Sequence, residues 1–130
     1  MTRWVIIKPM NPNPEENIIL EVRDLKKHFP VRSGFFLRIS GWIKAVNGVD
    51  FKIRQGQTLG LVGESGCGKS TVARMIMRLL RPDDGLIFFR QDDISRLSEK
   101  ELKPYRKQMQ IVFQDPYGSL NPRMTVGQSI

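Results

Sequence analysis

Leu61 to Ala73 read LVGESGCGKSTVA, three glycines and then a lysine followed by two hydroxyl residues. Gly63, four intervening residues, Gly68, Lys69 and Ser70 have the spacing of a phosphate-binding loop. Glycines at 63, 66 and 68 let the backbone curl until successive N–H groups converge on one point. A helix starting near Lys69 would add its positive end at the same place. Lys69 could then reach the β- and γ-phosphates, and the Ser70 hydroxyl could face Mg²⁺. Gly63, Glu64, Ser65, Gly66, Cys67, Gly68, Lys69, Ser70 and Thr71 are therefore the candidate triphosphate cradle. Such a pattern can also arise by chance in a glycine-rich turn, so its flanks decide. Cys67, inside the loop and beside Lys69, is expected to be a reactive thiol without catalytic duty. His28 reads as a surface residue, and the pair Asp92–Asp93 as solvated charge in a turn rather than a metal site.

The elements that must hold this loop follow from periodicity. Gln57 to Gly63 (QTLGLVG) is a continuous apolar run, as in a strand buried on both faces. After the loop, Val72, Ile76, Leu79 and Leu80 recur on one helical face. Arg74, Arg78 and Arg81 share another face, the last two near the negative end of the helix dipole. Pro82 and the Asp83–Asp84–Gly85 turn stop that helix, and Leu86 to Arg90 (LIFFR) reads as a strand. Ser98 with Glu101 forms a capping-box pattern that starts a second helix, which Pro104 should kink or divide. Met109 to Phe113 (MQIVF) reads as a further strand. Upstream, Asn17 to Val22 is β-prone, and Trp42 to Ile53 reads as one or two strands broken at Asn47–Gly48. The segment between them (HFPVRSGFFLRISG) reads as a loop, with Phe35 and Phe36 packed under a hairpin. Alternation of strand and helix from residue 57 argues for an α/β sheet that is partly parallel.

Bulk properties bound the class. With 130 residues, 40% apolar and 26% charged, the chain has the size and composition of one globular domain. A net charge of +8 admits an acidic partner, yet the basic residues are scattered in runs no longer than two, as on a solvated surface. A single cysteine makes no internal disulfide, and no apolar run approaches the roughly 20 residues of a membrane span. A cytoplasmic protein is expected. The first sixteen residues, ending near NPNP, read as a flexible lead-in.

LVGESGCGKST, followed by IVFQDPYGSLNPRMTV, whose Gln114 lies 45 residues after Lys69, resembles the ATP-binding subunits of ABC transporters. DLKKHFPV and KAVNGVDFKIRQGQTLGLVG fit that family too, and the likeness is strongest to di- and oligopeptide or nickel importers. It covers residues 17–130 and implies the amino-terminal half of a P-loop NTPase (ABC ATPase) core. The implied fold is α/β, an antiparallel β subdomain beside a partly parallel sheet flanked by helices. Gly63–Thr71 would be its Walker A loop, with ATP and Mg²⁺ as cofactors. Gln114 would contact the metal and the reacting phosphate. Phe29 falls where an aromatic stacks on adenine, with a core or hairpin phenylalanine as the alternative. Residues 115–126 would receive the membrane permease subunits, and a second ATP-binding subunit would complete a head-to-tail dimer on the inner face of the membrane.

The 130 residues contain no LSGGQ-like segment, no apolar run ending in Asp–Glu and no late histidine. The expectation is an ATP grip without the groups that hydrolyse it, whether as an excised fragment, a truncated gene product or half of a split subunit. Two other readings stand beside this one. A basic nucleic-acid module is opposed by the scattered charge, so no nucleic acid is expected. Another P-loop enzyme, such as a small-molecule kinase, is opposed by QDPYGSLNP.

Overall fold

The computed structural model describes residues 5–7, 18–33 and 38–113. In chain order the elements are β1 (Val5–Ile7), β2 (Ile18–Ser33), β3 (Arg38–Arg54), β4 (Gly60–Val62), α1 (Lys69–Ile76), β5 (Asp84–Phe89), β6 (Asp92–Asp93) and α2 (Glu99–Arg106). A four-stranded sheet has the order β3-β2-β5-β6, and a separate two-stranded sheet pairs β1 with β4. Each of these pairings is antiparallel.

The long β2–β3 hairpin keeps its apolar side chains on the core face by two compensating irregularities. Val22 pairs with Phe51 and Leu25 with Val49, so Arg23 and Asp24 together oppose Asp50. Asp24 takes up the extra length at φ 45°, and its N–H donates to Asp50 Oδ1 at 2.9 Å. The next step inserts a residue on the other strand, at Gly48, whose φ is 76°. Such bulges re-aim side chains that strict alternation would turn outward. Leu20, Val22 and Leu25 therefore join Val46, Val49 and Phe51 in the same buried cluster. Ile87 and Phe89 of β5, Val72 and Met75 of α1, Ile94, and Leu102 of α2 complete it.

The structure departs from the sequence reading at several elements. The expected loop from His28 to Gly41 is occupied by strand as far as Ser33 and again from Arg38. Pro30 is tolerated there because β5 pairs with β2 only as far as Lys26, leaving β2 beyond it with one neighbour. Trp42 to Ile53 is one continuous strand, since Gly48 makes a bulge rather than a break. Phe35 and Phe36 lie outside the described residues.

The strand before the glycine loop is only Gly60–Val62, with Val62 half exposed, rather than a run buried on both faces. Its neighbour among the described residues is β1, and of its three residues Leu61 alone packs against the core. Met109 to Phe113 takes no regular structure, because no described strand lies beside it to complete a ladder. The parallel pairings expected for this sheet are accordingly not found among the described residues.

Two charged positions also differ. Arg90 and Gln91 turn at φ 48° and 77°, a tight hairpin that brings Asp92–Asp93 back as β6. Arg78 is buried, not surface, because α1 ends at Ile76 and the chain turns at φ 53° on Arg78 itself. That turn leaves Leu79 exposed, although helical spacing placed it on the core face. The capping box at Ser98 and Glu101 forms as expected, and α2 runs through Pro104 as a single helix of eight residues.

Candidate functional site

The glycine loop joins β4 to α1, so the strand fixes its entrance and the helix its exit. Gly66 and Gly68 hold φ 79° and 98°, the left-handed region that other residues avoid. Gly63 is confined for a different reason, since a Cβ there would lie 2.6 Å from Cys67 Sγ and the thiol would have to move aside. The loop is thus folded tightly enough that its ends nearly touch, and Cys67 N–H donates to Glu64 O at 3.2 Å.

Gly68 is the N-cap of α1 and supplies no side-chain acceptor to the first turn. The first intrahelical bond from this end is Val72 N–H to Gly68 O at 2.9 Å. The amides of Lys69, Ser70 and Thr71 precede that bond and sit at the positive end of the helix dipole. No acidic residue lies in the first turn of α1 to compete for them. Bare amides over a cradle that a Cβ would obstruct are the donor set of an oxyanion, and the residues present fit a phosphate.

Lys69 is folded back across the loop. Its ammonium donates to Gly63 O and Glu64 O, each at 2.7 Å, and to Cys67 Sγ at 3.3 Å. Three donors meet three acceptors, all belonging to the loop. The lysine is therefore centred over the cradle, and reaching an anion from here is a matter of exchanging acceptors. The Ser70 hydroxyl is exposed, one residue into the helix, while Thr71 is half-buried.

The other end of α1 is held by α2. Arg106 donates from Nη2 to Arg78 O at 2.8 Å and from Nε to Met77 O at 3.4 Å, placing a guanidinium at the negative end of the helix. Glu99 anchors that guanidinium through Nη1 at 2.6 Å, and the same pairing holds the Glu99 carboxyl below its usual range. Arg78 itself reaches the connection after β6, donating to Ile94 O and Leu97 O, while burial lowers its own pKa. No local pattern signals this latch, whose partners lie 28 and 29 residues apart.

Residues 46–129 match the family described as ABC transporter. The chain belongs to that family. An oligopeptide transport ATP-binding protein of Bacillus subtilis, AppF, is 57% identical over 112 residues, which make up 85% of this chain and 34% of that protein. The glutathione import ATP-binding protein GsiA of Salmonella typhimurium is 49% identical over 86% of this chain and 18% of its own length. Among solved structures, the ATP-binding cassette MJ0796 bound to ADP and Pi superimposes with a TM-score of 0.55 at 25% identity. That match covers 68% of this chain and 35% of the other. The chain spans about a third or less of the length of these relatives. Its fold is that of the ABC ATPase domain, a P-loop NTPase.

Within this ABC transporter chain, Gly63 to Thr71 are brought together as one loop. Phe29 lies on the β2–β3 hairpin opposite Ile43, 37% exposed, with the Lys27 ammonium 5.7 Å from its ring centre. Its ring lies outside the buried cluster. Gln114 and residues 115–126 lie outside the described residues. Asp92 and Asp93 accept hydrogen bonds from Tyr105 Oη and Ser95 N, consistent with a structural role, and no metal-binding cluster occurs among the described residues. His28, expected at the surface, is half-buried, and its N–H donates to Asp83 Oδ2 at 2.7 Å.

Proposed function

We propose that Gly63–Thr71 binds the phosphates of ATP with Mg²⁺, and that the chain acts as ATP-binding part of the motor of an importer for peptides or a similar solute. The observation that carries this is the uncapped first turn of α1 over a glycine loop spanned by Lys69. The amides of Lys69, Ser70 and Thr71 bind and orient the phosphate oxygens. The Lys69 ammonium leaves Gly63 O and Glu64 O for the β- and γ-phosphates, moving within the loop rather than from a distance. Bound Mg²⁺ supplies neutralisation of phosphate charge, and the Ser70 hydroxyl is the residue on this loop that would face it. Gln114 would be its second contact, and Phe29 the adenine contact.

The peptide assignment rests on the named relatives, which are ATP-binding proteins of oligopeptide and glutathione import. Membrane permease subunits received by residues 115–126, a second ATP-binding subunit and a position at the inner face of the membrane belong to the same reading. Calorimetric titration with ATP and Mg²⁺ tests the loop. Losing a charge-assisted contact of about 1.5–3 kcal/mol, Lys69→Ala should bind roughly ten- to a hundredfold more weakly. Equal affinity in the two proteins would remove the loop from the proposal.

A further inference from the structure

Among the described residues, the directional contacts that fix α1 along its axis lie at the end away from the glycine loop. At the loop end the cap is Gly68, which brings no side chain, and the three bonds of the Lys69 ammonium stay within the loop. Along the helix, Val72 and Met75 are buried in the core, but apolar contact is non-directional and tolerates sliding. At the far end Arg106 of α2 binds both Met77 O and Arg78 O, so one planar fork grips two consecutive carbonyls. Arg78 is also pinned through its buried side chain, which donates to Ile94 O and Leu97 O.

The fork is held in turn by Glu99, at the first position of α2. Its carboxylate takes Arg106 Nη1 at 2.6 Å and Nη2 at 3.3 Å, a two-point grip. The Glu99 side chain is 68% exposed, so this pair by itself adds little to stability. What it does is orient the guanidinium toward the end of α1. That helix has eight residues, about 12 Å, and its backbone bonds fix its rise, so a shift at its C-cap reaches Lys69 almost whole. Hydrogen bonds hold over a window of about 0.5 Å, so a displacement of roughly 1 Å at the first turn loosens a bound oxyanion.

We infer that Arg106, oriented by Glu99, is a positioning residue for nucleotide binding: it sets the axial position of α1 and thereby of the Lys69, Ser70 and Thr71 amides. The inference rests on the reading of Gly63–Thr71 as the site of the ATP phosphates. It acts through backbone placement, and charge alone makes the opposite demand at one residue. Removing the negative charge of Glu99 would by charge alone favour an anion at the loop, whereas releasing Arg106 disfavours it.

The test is calorimetric titration of the 130-residue chain with ATP and Mg²⁺, well below its melting temperature. Wild type is compared with Lys69→Ala, Arg106→Ala, Glu99→Ala and the double variant of the last two. Ile87→Val, a buried position on β5 outside the latch, serves as the control for lost stability. Arg106→Ala should weaken binding roughly three- to thirtyfold. Glu99→Ala should weaken it in the same direction, and the double variant should bind no more weakly than Arg106→Ala, because the two residues act as one unit. Ile87→Val should lower the melting temperature and leave the affinity unchanged. Affinity unchanged in Arg106→Ala, tighter binding by Glu99→Ala, additive losses in the double variant or an equal loss in Ile87→Val would each overturn the inference while leaving the loop assignment standing. Wild-type affinity no better than that of Lys69→Ala would instead overturn the loop assignment, and this inference with it.

Discussion

Lys69 shows how far a residue type and its spacing carry. The spacing places an ammonium near a glycine loop, but only the folded chain shows it satisfied by Gly63 O, Glu64 O and Cys67 Sγ. Glu21 makes a different point at the same scale. It accepts from Arg23 Nε at 2.8 Å and lies 2.8 Å from Lys52 Nζ, with a side chain 13% exposed. Those hydrogen bonds, Arg23 first and then Lys52, hold its pKa at about 2 against a usual 4.5. A carboxylate with a depressed folded-state pKa stabilises the fold above its unfolded value, and that contribution is lost as pH falls through the folded one. The melting temperature should therefore drop between about pH 4.5 and 2. Glu21→Gln should lower it at neutral pH and flatten the dependence in that window. Thermal melts across pH check this, and an unchanged acid slope in the variant would contradict it.

At the scale of elements, β5 depends on a backbone approach that only glycine permits. Gly85 has φ 94°, and a Cβ there would lie 2.5 Å from Asp24 O, 2.6 Å from Leu25 Cα and 2.7 Å from Arg23 O. These atoms are backbone of the bulged part of β2, so they cannot swing aside. Gly85→Ala combines left-handed strain with overpacking and should destabilise the fold by about 2–4 kcal/mol. Denaturant unfolding measures that, and a loss below about 0.5 kcal/mol would mean the bulge is softer than its geometry implies. In the sequence, Gly85 read only as a turn residue closing α1. The capping box of α2 was legible because Ser98 and Glu101 are three residues apart. The Gly85 contact was not, because its neighbours lie about sixty residues earlier in the chain.

For the whole molecule, the described residues leave apolar surface uncovered at the ends of the fold. Val62 is 51% exposed, Leu79 53%, Val112 95% and Phe113 42%, and among the described residues β4 has a strand neighbour only in β1. Unpaired strand backbone beside exposed apolar side chains recruits other chains. The 130 residues should thus sediment as oligomers at micromolar concentration. A monodisperse monomer in analytical ultracentrifugation would contradict the expectation. The distribution of surface matters as much as its amount, since the core lies between one face of the antiparallel sheet and two short helices.

The chain's local chemistry was determined by sequence alone. Gly63, Gly68, Lys69 and Ser70 are close in the chain, so their spacing dictates a loop whatever surrounds it, and the family follows from the same residues. The start of α2 was likewise local. What the tertiary structure decided was everything requiring a partner far along the chain. Bulges at Asp24 and Gly48 turned an apparent loop and a broken strand into one long hairpin, because each strand supplied the other's ladder. Arg78 left the helix surface for the interior because Ile94 and Leu97 offered carbonyls that no periodicity predicts. Gln57 to Gly63 and Met109 to Phe113 carry strand-like sequence, but a strand is completed by its neighbours, and the described sheet supplies one for the first and none for the second.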